Sequence, residues 1–98
     1  MSGTVPEVWV KAGGGHDMVR ADAIVMLRLD ETGRLTAQLR DDAKVSVTLL
    51  AGSPGAHPPD DFHRQLIRAV AELADSSGAQ LVHARHEGGA WRWVSEPL

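Results

Sequence analysis

Val25, Leu27 and Leu29, then Leu35, Ala37 and Leu39, then Val45, Val47 and Leu49 keep one strand-like parity across two candidate turns. In a strand a one-residue slip sends every side chain to the wrong face, so this continuity constrains the fold more than any other feature. Asp30 to Arg34 places Gly33 at the end of a short loop, where a left-handed residue is wanted. Pairing Leu29 with Leu35 then sets Leu27 opposite Ala37 and Val25 opposite Leu39. A second turn over Asp41, Asp42 and Ala43 pairs Leu39 with Val45, Ala37 with Val47 and Leu35 with Leu49.

An earlier strand, Val5 to Lys11, alternates Val8 and Val10 against Trp9 and Lys11, with Gly13, Gly14 and Gly15 as a loop before Met18. Met18 to Asp30 is long for one strand, which predicts a bend near Ala21 to Ala23. Residues 5–50 thus read as an antiparallel meander. Residues 51–59, with Gly52, Pro54, Gly55, Pro58 and Pro59, cannot extend a sheet and form a connection.

The period changes after the prolines. Phe62, Leu66, Ile67, Val70 and Leu73 recur at helical spacing and predict an amphipathic helix over 60–75, stopped by Ser76, Ser77 and Gly78. His63 falls inside the apolar stripe and is expected at the core margin with a hydrogen-bond partner. Residues 79–95 read as a hairpin about Gly88-Gly89, with His86 opposite Trp91, Ala84 opposite Trp93 and Val82 opposite Ser95. The expected architecture is a single α+β domain over 1–98, ordered β-β-β-β-α-β-β, with an antiparallel sheet and its helix packed on one face.

Composition narrows the function. A chain of 98 residues without cysteine, 43% hydrophobic, builds one core without staples and holds no thiolate nucleophile or zinc-thiolate site. Its apolar runs are too short for a membrane span, and Met1 to Pro6 lacks the pattern of a secretory signal, so a cytoplasmic location is expected. Arginine dominates the cations while Asn, Tyr and Cys are absent, a bias that points to a GC-rich bacterial source. A net charge of −3 argues against a generic nucleic-acid binder.

Candidate chemistry is sparse. The glycine loop at Gly13 is followed by neither Lys-Ser nor Lys-Thr, so it is not a phosphate cradle, and Ser53 does not sit in a nucleophile elbow. No cofactor or metal site is expected. His57, Asp60 and His63 are the residues on which a small enzyme or a metal-binding protein would be built. His83, Arg85 and Arg92, directed away from the tryptophans, form a possible nucleic-acid or anion surface. The favoured function is non-enzymatic: a protein-interaction or adaptor module, self-associating as a homodimer or docking on a larger protein. Trp9, Ile24, Met26, Trp91 and Trp93 are its expected interface anchors, because a single helix covers only one side of a sheet.

Overall fold

The computed structural model describes residues 7–12, 17–40, 42–51, 57–74 and 78–98. The glycine loop at Gly13 to Gly15, Asp41, most of the connection including Ser53, and Ser76-Ser77 lie outside the described residues. The α+β class holds, with seven strands and one α-helix among the described residues: β1 (Glu7–Lys11), β2 (Met18–Arg20), β3 (Ile24–Leu29), β4 (Leu35–Leu39), β5 (Asp42–Leu50), α1 (Phe62–Glu72), β6 (Ala79–Glu87) and β7 (Ala90–Pro97). The expected bend is a 3-10 turn at Ala21–Ala23, which splits the long second strand into β2 and β3.

The strands form two sheets rather than one. β3, β4 and β5 make the antiparallel meander, while β2, β1, β6 and β7 form a second sheet in that order. In the second sheet β1 runs parallel to β6, with Trp9 beside Leu81 and Val10 beside Val82. The first strand therefore joins the terminal hairpin and not the meander. The 3-10 turn is the corner at which the chain leaves one sheet for the other.

Hairpin registers follow the alternation closely. In the terminal hairpin His86–Trp91, Ala84–Trp93 and Val82–Ser95 all pair as expected, and Gly88 and Gly89 adopt φ of 61° and 79°, as a tight primed turn requires. Leu29–Leu35 and Leu27–Ala37 also pair as expected, but a bulge between Ile24 and Met26 puts Ile24, not Val25, opposite Leu39. Between β4 and β5 the Ala37–Val47 pair holds. The turn there is tighter than expected, since Leu39 faces Asp42 rather than Val45, and a second shift puts Leu50 rather than Leu49 opposite Leu35.

Val8, Val10, Leu35, Ala37, Leu49, Leu50, Phe62, Leu66 and Val82 form one buried cluster, drawn from both sheets and the helix. The shift at the end of β5 turns both Leu49 and Leu50 inward, which gives Leu50 the place that strict alternation denies it. The helix is shorter than 60–75: Asp60 and Asp61 form a turn before it and Leu73 and Ala74 a turn after it. Trp93 secures its start, stacking on Phe62 at 4.6 Å and donating its indole N–H to the Phe62 carbonyl at 2.9 Å.

The 30–34 turn is cross-braced. The Asp30 carboxylate accepts hydrogen bonds from the Thr32 hydroxyl at 2.7 Å, the Thr32 amide at 2.9 Å and the Arg34 amide at 3.0 Å. The Thr32 hydroxyl bond, then that of the Arg34 amide, holds the Asp30 carboxyl below its ordinary range.

Candidate functional site

Since α1 contacts β7 on one flank and β3 on the other, it bridges the two sheets. Between α1 and β3 this leaves an apolar groove of about 300 Å³. Val10 and Leu66, both fully buried, lie at its base. Ile67 and Val70 line it from α1, Ile24 to Leu27 from β3, and Ala21 from the 3-10 turn. Val25, Met26 and Ile67 are 56%, 44% and 59% exposed and form its rim.

Among the described residues His63 is the one polar side chain in the lining. Its Nδ1 is buried and has no hydrogen-bond partner among the described residues. The expected partner is thus missing, and an unsatisfied buried atom of this kind costs roughly 1–3 kcal/mol. Among the described residues that line it none is a carboxylate. Arg28 lies one strand residue pair from Met26 and shares a hollow with it on the outer sheet face, and Arg64 stands one helical turn before Ile67. Both arginines are exposed, and neither forms an ion pair among the described residues.

The expected anchors separate on this frame. Met26 is exposed at the groove, as expected. Ile24 corrects the reading that it points away from the core: the bulge turns it inward against the buried cluster and leaves Val25 outside. Trp91 and Trp93 also pack against the core, on the face they share with Val82 and Ala84. Trp9 is half-buried, with the Arg20 guanidinium 5.8 Å over its ring. Val25 and Ile67 were not expected at a binding surface. Ile67 lies at the edge of the apolar stripe of α1, and the exposure of Val25 follows from the bulge.

The other candidate residues do not converge. His57 packs with Pro58 over Gly33, whereas His63 lines the groove. Among the described residues no group of three or more His, Asp or Glu is placed to hold a metal ion. On the terminal hairpin, His83 Nε2 lies 3.4 Å from Glu96 and Arg85 lies 3.2 Å from Glu87. Arg92 lines a separate concavity that also contains Asp61 and Glu72. Carboxylates therefore accompany each member of this set, an arrangement poorly suited to phosphate. Among the described residues no helix is long and apolar enough to cross a membrane. No family model, curated protein or solved structure matches the chain.

Proposed function

We propose that this chain is a non-enzymatic protein-interaction module, an adaptor or accessory domain of a bacterial cytoplasmic system, that holds an apolar segment of a protein partner in the groove between α1 and β3. One observation carries the reading. Of the five large hydrophobic residues exposed among the described residues, Val25, Met26 and Ile67 ring this single groove. Scattered exposed apolar residues are ordinary, but a contiguous rim over an apolar concavity marks a binding surface.

The test places a photo-crosslinking amino acid at Met26 in the producing cell, with and without Ile67→Glu, and pairs it with native mass spectrometry of the purified chain. The expected result is a discrete heteromeric adduct that disappears with Ile67→Glu, and a monomer when purified. A homodimer lost in the same variant would make the partner a second copy. An adduct indifferent to Ile67→Glu would refute the groove as the docking surface.

A further inference from the structure

Resting on the interaction reading above, we infer that the groove's occupant is an extended segment of another protein, apolar at alternate positions and acidic beside them, which docks along β3 as an added strand. Among the described residues β3 is an edge strand, paired only to β4. The register shows which of its backbone groups are open. The Asp30 amide bonds the Arg34 carbonyl at 3.0 Å, so the next pair inward, Leu29–Leu35, is a non-bonded one, and so is Leu27–Ala37. Leu27 and Leu29 therefore direct their amides and carbonyls away from β4, along the open edge beside the groove. An edge of this kind is a template for another strand.

A docking strand supplies what both surfaces lack. Its backbone satisfies the open groups of β3, and its side chains alternate between the groove and solvent. A docked helix bonds its own backbone and leaves the β3 edge unpaired. A second copy is disfavoured by shape, because its own β3 is walled by its own α1. Pairing two such edges brings two helices to one gap, whereas a lone segment enters it. Charge selects further among segments. Among the described residues the lining contains no carboxylate, and the exposed Arg28 and Arg64 have no ion-pair partner. In a chain of net charge −3, Arg28 beside Met26 and Arg64 one helical turn before Ile67 put positive charge next to two rim residues of the apolar slot, complementary to Asp or Glu flanking apolar residues.

The experiment pans the whole chain against displayed random linear peptides of about eight residues, slightly longer than β3, with the Ile67→Glu protein for counter-selection. Selected peptides are expected to show apolar residues at every second position and an excess of Asp and Glu. For a synthetic copy of the best peptide, N-methylation of alternate backbone amides should weaken binding about tenfold or more per bond lost, while methylation of the intervening amides has little effect. Arg28→Glu combined with Arg64→Glu should weaken it about tenfold at low salt. Peptides that depend on Ile67 yet show helical spacing, or no methylation pattern, would overturn the added strand while leaving the interaction reading in place. Binding untouched by the double arginine reversal would overturn the acidic specificity. If no peptide depends on Ile67, both the strand and the groove reading fail.

Discussion

Gly33→Ala tests how the proline-rich connection is fastened before it delivers α1 to the groove. Gly33 has φ of 85°, and a methyl group added there would lie 2.9 Å from Pro58 Cδ and 3.1 Å from His57 Nδ1. Two costs follow. The left-handed backbone penalises any residue with a Cβ by roughly 1–2 kcal/mol, offset by about 0.4–1 kcal/mol of entropy removed from the unfolded chain. The contact adds about 1–3 kcal/mol of overpacking, because Pro58 is buried and rigid whereas the exposed His57 ring can turn aside. Gly78 provides the control, with φ of 82° and nothing within 4 Å of its added Cβ. Chemical denaturation should therefore show a loss of about 2–4 kcal/mol for Gly33→Ala against about 1 kcal/mol for Gly78→Ala. At about 4–8 °C per kcal/mol, the first substitution lowers Tm by roughly 10–25 °C. In a double-mutant cycle, Pro58→Ala should recover about 1–2 kcal/mol of the Gly33→Ala loss. Equal losses at Gly33 and Gly78, or a cycle that adds without coupling, would refute the clasp between the 30–34 turn and Pro58.

Three further perturbations address the core, the turn and the groove. Trp93→Phe should cost about 1 kcal/mol for the lost bond to the Phe62 carbonyl, and Trp93→Ala about 3 kcal/mol because the stacked ring goes as well, both read from urea midpoints. Asp30→Asn probes a carboxyl held below its ordinary range by the Thr32 hydroxyl and the Arg34 amide. The wild-type advantage should be complete above the unfolded carboxylate value of about 3.9 and vanish as pH falls through the lower folded value. An advantage that is flat across the acid range would remove the charge from the explanation. His63→Leu takes an unsatisfied nitrogen out of the groove wall and should raise stability by about 1 kcal/mol. The same substitution keeps the groove apolar and should leave binding of the selected peptide intact, and a stability loss instead would show that the nitrogen is satisfied in solution.

Local turn chemistry accounts for what was legible in the amino-acid order. Gly88-Gly89 and the Asp30–Gly33 turn set their hairpins, and every pair deduced from Leu27–Ala37 to Leu29–Leu35, and across the terminal hairpin, is observed. The turn after Leu39 lacks a glycine, and there the deduced pairing slipped from Val45 to Asp42. The parallel pairing of β1 with β6 has no local signature, because no short turn joins parallel strands and the partners are distant in sequence. Alternation alone left β1 to join the nearest sheet. Of the groove, Met26 was legible from parity, whereas Ile67 and Val25 depend on where the helix lands and on the bulge.

That bulge links the fold to the proposed site. Strict alternation puts Val25 inside and Ile24 outside; the extra residue before Met26 reverses both while leaving Leu27 and Leu29 in register. Ile24 then closes the core beside the 3-10 turn, and Val25 is released to the groove rim next to Met26. A bulge also increases local twist, so β3 curves at the point where the chain turns from one sheet to the other. An apolar edge strand beside an apolar hollow is an aggregation hazard that proteins usually cover or charge. Here Arg28 stands beside Met26, Arg64 stands one helical turn before Ile67, and α1 walls one side, a combination that suits the single extended segment proposed for this edge.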